Sequence, residues 1–154
     1  MERVESDSRG VGSVIRESAP SRYWAMQDSR NLRVAEYAED LAVATYEHTA
    51  TFPRSECFGL TSQMRRAAVS IASNIAEGCG RRNNRELLPF LSNAAGSVSE
   101  LACQLRIATR LHFGEQACAE QLRIEALRVA KMLARLTSYH RAQSTTRQRG
   151  ESRE

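Results

Sequence analysis

The chain has 154 residues, of which 42% are hydrophobic and 26% charged, and its formal net charge is +4. That length holds one domain with a real core, and sparse glycine and proline beside abundant Ala, Leu, Arg and Glu favour helix. No apolar run is long enough to span a bilayer, and the charge permits an anionic partner without requiring one. Arginine outnumbers lysine 21 to 1, which fits phosphate recognition by guanidinium forks but equally fits a GC-rich genome. Cys57, Cys79, Cys103 and Cys118 form no CxxC pair and follow no signal peptide, so free thiols and a cytoplasmic location are expected.

Residues 1–28 show no hydrophobic period, and five arginines balance five acids across residues 1–30. This stretch is expected as a disordered tail, and Met26 is a second candidate start. The first helix is expected over residues 30–51. Val34, Ala38, Leu41, Ala42, Thr45 and His48 share one face, and Glu36, Glu39, Asp40 and Glu47 the opposite one. His48 reads as a core or boundary histidine. Phe52-Pro53 ends the helix, because a residue before proline avoids α geometry.

The central helix is expected over residues 60–78. Leu60, Met64, Ala67, Ala68, Ile71, Ala72 and Ile75 fall on one side at 100° per residue. Val69 and Ala76 widen the arc past half the circumference, which suits a central helix or one with a second partner. Ala68, Ala72 and Ala76 form a small-residue ridge at i, i+4 spacing. Thr61 or Ser62 is the expected N-cap, and Gly78 and Gly80 the expected terminator through a positive φ.

Asn83 with Glu86 reads as a capping box opening the third helix, residues 84–112. Its core face carries Leu87, Phe90, Leu91, Ala94, Val98, Leu101, Ala102 and Leu105, and Gly114 is the expected stop. Gly96, in the run Ala94–Ser97, suggests a close helix crossing that offsets a cost of ~0.5–1 kcal/mol against alanine. Ile107 and Leu111 lie together off the main face. The fourth helix is expected over residues 115–141, with Leu122, Ala126, Val129, Leu133 and Leu136 at bundle-seam spacing and Arg128, Lys131 and Arg135 on the far side. Residues 142–154 are expected as a second disordered tail. Short links between the second, third and fourth helices force antiparallel neighbours. The fold class is therefore all-α, an antiparallel up-down-up-down four-helix bundle over residues 29–141.

The stretch LTSQMRRAAVSIASNIAEG at residues 60–78 resembles the signature of bacterial four-helix-bundle proteins associated with intervening sequences of 23S rRNA genes. FPRSECFGLTSQ before it and FLSNAAGSVSEL after it extend the resemblance over roughly residues 31–140. Family members often carry proline where this chain has Ala72, and a helix former where it has Pro89, so a kink or delayed start is expected there. The resemblance implies rings of identical subunits, typically homopentamers. It also implies kinship with a basic accessory protein of diversity-generating retroelements that partners a reverse transcriptase.

No Glu-x-x-His occurs, so the ligand pattern of a di-iron bundle is missing. Zinc-spaced Cys/His sets, phosphate loops and GxSxG elbows are missing too. A non-enzymatic protein without cofactor or metal is expected. Two polar groups remain. Ser70, Asn74 and Glu77 face toward Ser97, Glu100 and Gln104, either as bonds that set helix register or as a site at a subunit boundary. Arg65, Arg66, Arg81, Arg82 and Arg85 give residues 62–86 an excess of +3 over Glu77 and Glu86. They are candidates for RNA or DNA phosphate contact, against the plainer reading of solvated arginines with a Glu77–Arg81 pair. Self-association is expected through the Ile107/Leu111 patch and through an acidic face (Glu36, Glu39, Asp40) meeting a basic one (Arg128, Lys131, Arg135) head to tail. The function expected is an oligomeric assembly or adaptor module, or else an RNA- or DNA-binding accessory to a reverse transcriptase or ribonucleoprotein.

Overall fold

A computed structural model describes residues 29–81 and 83–151, with side chains from Arg33 to Ser144 apart from Arg82. The expected tail at residues 1–28 and the alternative start at Met26 lie outside the described residues. Among those residues the order is α1 (Ser29–Thr49), a 3-10 turn (Arg54–Glu56), α2 (Leu60–Cys79), α3 (Asn84–Arg110) and α4 (Gln116–Glu151), with no strand. Neighbours in sequence pack on one another and α4 closes back onto α1, while the backbones of the diagonal pairs stay apart among the described residues. This is the square, antiparallel up-down-up-down bundle that the apolar spacing predicts.

Its two ends differ. At one, the α3–α4 loop covers the end of α1: a Cβ at Gly114 would stand 2.6 Å from His48 Cε1. At the other, the start of α3 meets the far part of α4, where Asn84 Oδ1 and His140 Nδ1 are 2.9 Å apart. Between them Leu41, Met64, Ile71, Ile75, Leu91, Leu101, Leu105 and Leu133 are sealed from solvent. Each such side chain contributes ~1.5–3 kcal/mol on burial. The alanine ridge winds outward: Ala68 is buried, Ala72 half-buried and Ala76 exposed.

Several helix ends differ from the sequence expectation, each through a partner outside the local motif. Neither Thr61 nor Ser62 caps α2. Gly59 holds the N-cap position, and Glu56 Oε2 accepts from the Leu60 N–H at 3.0 Å. At the other end Gly80 is right-handed, with φ −76°, so α2 does not close on a positive φ. Gly78 is small for another reason. A Cβ there would lie 2.8 Å from Leu87 Cδ1 and 2.9 Å from Phe90 Cβ. The close α2–α3 crossing is thus at Gly78, while Gly96 faces open space with nothing within 4 Å.

The capping box forms with one change. Asn83 Oδ1 accepts from the Glu86 N–H at 3.0 Å, but the Glu86 carboxylate accepts from the Asn83 side-chain amide at 2.7 Å rather than from its backbone. Pro89 sits inside α3 without delaying its start. That helix ends at Arg110, two residues before the expected limit. His112 takes the left-handed conformation, φ 58°. The Phe113 N–H then bonds the Ala108 carbonyl at 3.0 Å and the His112 N–H bonds Thr109 at 3.2 Å, which is the Schellman closure. Gly114, also left-handed at φ 72°, shapes the loop beyond it.

The second expected tail is corrected over residues 142–151, which continue α4 to Glu151. Its first turn is anchored across the bundle. Asn84 Nδ2 donates to Gln143 Oε1 at 2.9 Å, Gln143 Nε2 donates to the Tyr139 hydroxyl, and the Ser144 hydroxyl donates to the His140 carbonyl at 3.0 Å.

Candidate functional site

Of the five arginines picked out around α2, the four described ones do not form one surface. Arg65 is turned onto α1, with Nε donating to Thr49 Oγ1 at 2.9 Å and the guanidinium 4.7 Å above the Tyr46 ring. Arg81 bonds Glu77 at 2.5 Å and lies 4.7 Å above the Phe90 ring. Arg66 and Arg85 are exposed, and Arg82 lies outside the described residues. Sixteen residues of helix, about 24 Å at 1.5 Å per residue, separate Arg65 from Arg81. A single phosphate contact does not span that distance.

The polar group on α2 and α3 comes together in part. The Ser70 and Ser97 hydroxyls are 2.9 Å apart, and Asn74 Nδ2 donates to the Ser70 carbonyl at 2.8 Å and its hydroxyl at 3.2 Å. Glu77 instead turns to Arg81, and Glu100 accepts from Gln104 on its own helix at 3.0 Å. Gln104 is buried, and its Oε1 has no hydrogen-bond partner. An open groove of about 580 Å³ beside α2 is lined by Arg66, Ser70 and Glu100, with Tyr46 and Arg65 at its α1 side.

The charged faces are solvent-exposed at Glu36, Glu39, Asp40, Lys131 and Arg135. Arg128 pairs with Glu125 at 3.1 Å and stacks 5.4 Å over the Tyr37 ring. With Arg135 it lines a second groove, about 430 Å³, between α1 and α4; Arg33, Tyr37, Met132, Leu136 and Tyr139 complete it. Sequence reasoning had no role for Arg33, Tyr37 or Tyr139. The signal was there, since Arg33–Tyr37 and Arg135–Tyr139 are both i, i+4 pairs on helix faces.

Ile107 and Leu111 are 44% and 51% exposed, and Phe58, which sequence reasoning passed over, is 95% exposed. The Ser70–Ser97 bond sets Leu60 level with Ile107, because antiparallel helices pair positions of constant sum. Phe58, Ile107 and Leu111 therefore belong to the end that carries the α3–α4 loop. Tyr46 and Ile124 lie toward the same end, and Val43, Val69 and Leu127 stand near mid-height. These are also exposed, so exposed apolar surface concentrates in one half of the bundle and the arginine groove runs into the other.

His48 is buried at that apolar-patched end, edge-on to Phe52 at 5.2 Å between ring centroids, with Nε2 unpartnered. Burial pushes its pKa below the ordinary 6.5, and the Glu115 carboxylate opposes this in part. No disulfide joins the four cysteines. Burial raises the Cys79 thiol, and a 3.3 Å hydrogen bond to Glu115 raises that of Cys118. Both stay protonated at neutral pH, which makes neither an activated nucleophile. Among the described residues no group of three His, Cys, Asp or Glu could hold a metal ion, and no helix is long and apolar enough to cross a membrane.

Residues 30–135 match the family described as 23S rRNA-intervening sequence protein. The chain belongs to this family. Among solved structures it is similar to a protein of unknown function from the S23 ribosomal protein family of Bacteroides thetaiotaomicron. The two share 17% identity at a TM-score of 0.66, over 71% of this chain and 98% of that one. A likeness at that identity shows the fold. No curated protein matches. The Schellman end of α3, the Gly78 crossing and the loop over His48 are therefore features of a 23S rRNA-intervening sequence protein.

Proposed function

We propose that this family member is a non-enzymatic assembly module that associates with copies of itself in the cytoplasm. One observation carries the reading. Phe58, Ile107 and Leu111 are all exposed toward the end of the bundle that carries the α3–α4 loop, and apolar surface gathered at one end marks an interaction site. A repeated head-to-tail contact closes into a ring when the rotation allows, and five copies is the number that the sequence resemblance implies.

The test is the mass of Ile107→Glu/Leu111→Glu against that of the parent chain. Both positions are exposed in the single chain, so the variant keeps its helical content. It is expected to sediment as a smaller species. An unchanged mass rejects this surface. The alternative, an RNA- or DNA-binding accessory built on the α2 arginines, has weaker support, since Arg65 and Arg81 are engaged within the chain.

A further inference from the structure

We propose that the groove between α1 and α4 is a binding site for a nucleoside phosphate. The proposal uses arginines other than those flanking α2, and gives Arg128 and Arg135 a role apart from the self-association contact expected of them. Three guanidinium groups, Arg33, Arg128 and Arg135, line the groove, and no carboxylate does among the described residues. Only Arg128 is committed, to Glu125 and to the face of Tyr37. Arg33 and Arg135 enter no ion pair among the described residues. Cations held without counter-charge in a cleft attract an anion, and a guanidinium fork matches two phosphate oxygens at once.

The rest of the lining is apolar or aromatic. Met132 and Leu136 form one wall, and Tyr139, edge-on to His140, lines the groove with Tyr37, on which Arg128 stacks. A compact anion such as inorganic phosphate leaves that surface unused, whereas a flat heterocycle stacks on it. The groove volume, about 430 Å³, lies in the range of small-molecule sites. Tyr139 is also held in place before any ligand arrives. Its hydroxyl accepts from Gln143, whose own oxygen accepts from Asn84 on α3. A ring fixed from a neighbouring helix loses little freedom on binding. The purine or pyrimidine thus rests on Tyr139, with the phosphate between Arg33 and Arg135. The same chemistry is presented by a free nucleotide and by one unit of a single strand.

The experiment is equilibrium binding of the full chain, by calorimetry with ADP and by fluorescence anisotropy with a labelled single-stranded twelve-nucleotide oligomer. Saturable binding of either probe that weakens as salt rises is expected. The double variant Arg33→Gln/Arg135→Gln is expected to weaken it by at least about tenfold, with helical content and mass unchanged. Arg54→Gln, which removes an exposed arginine outside every candidate site, leaves it unaltered. Binding of ADP assigns the free nucleotide as source, and binding of the oligomer alone assigns the strand. No binding of either probe at millimolar ADP and micromolar oligomer overturns the proposal. So does binding that the double variant leaves intact, or that Arg54→Gln weakens equally.

Discussion

Ser70 on α2 and Ser97 on α3 meet through their hydroxyls at 2.9 Å, and this bond sets the level at which the two helices lie. It also orients Asn74, which donates to both the Ser70 carbonyl and its hydroxyl. Ser97→Ala removes one part-buried hydrogen bond and is expected to cost about 1 kcal/mol. Ser70→Ala strands Asn74 as well and is expected to cost more. Urea unfolding at fixed protein concentration gives both values. Equal, negligible losses would mean that the apolar core alone sets the register.

Gly78 and Gly96 make opposite predictions for the same substitution. Alanine at Gly78 must displace Leu87 and Phe90, an overpacking strain of roughly 1–3 kcal/mol, partly offset by helix propensity. Alanine at Gly96 meets nothing within 4 Å and is expected to stabilise the helix by ~0.5–1 kcal/mol. Thermal melts of the two variants should shift in opposite directions.

His112 occupies the left-handed position that closes α3, where a side chain costs roughly 1–2 kcal/mol and glycine costs nothing. His112→Gly is expected to raise stability by up to about 1 kcal/mol, after the entropy that glycine adds to the unfolded chain. The denaturation midpoint reports this. A fall would show that the imidazole makes a compensating contact at the exposed loop.

His48 links stability to pH. Burial holds its folded pKa below 6.5, so between that folded value and 6.5 the unfolded chain binds more protons than the native one. Stability therefore falls as pH drops through this window and levels off below the folded pKa. Glu115 opposes the shift, and Glu115→Gln should carry the loss to lower pH. His48→Leu should lack this part of the slope. Unfolding free energies from pH 7.5 down to pH 5 test all three.

The bundle itself was legible because its apolar residues recur at spacings that only a helix satisfies, as in Leu122, Ala126, Val129, Leu133 and Leu136. The Asn83–Glu86 box was legible because both partners are local. What escaped depends on residues distant in sequence. α4 runs past Arg141 because Gln143 is held by Asn84, 59 positions earlier. Gly78 rather than Gly96 is the crossing point because Phe90 and Leu87 close over it. The same holds for the candidate sites. Charge counting saw five arginines near α2 but not that Tyr46 and Glu77 engage two of them. Nor does a linear reading place Arg33 beside Arg135, since the two share a groove only once α4 has folded back along α1.

The central claim is that Phe58, Ile107 and Leu111 are covered by another copy of the chain. Light scattering coupled to size-exclusion chromatography, on the purified protein at micromolar concentration after nuclease treatment, tests it most directly. The account predicts a mass that is a multiple of 17.2 kDa, with five copies as the specific expectation. A single species of monomer mass would contradict it.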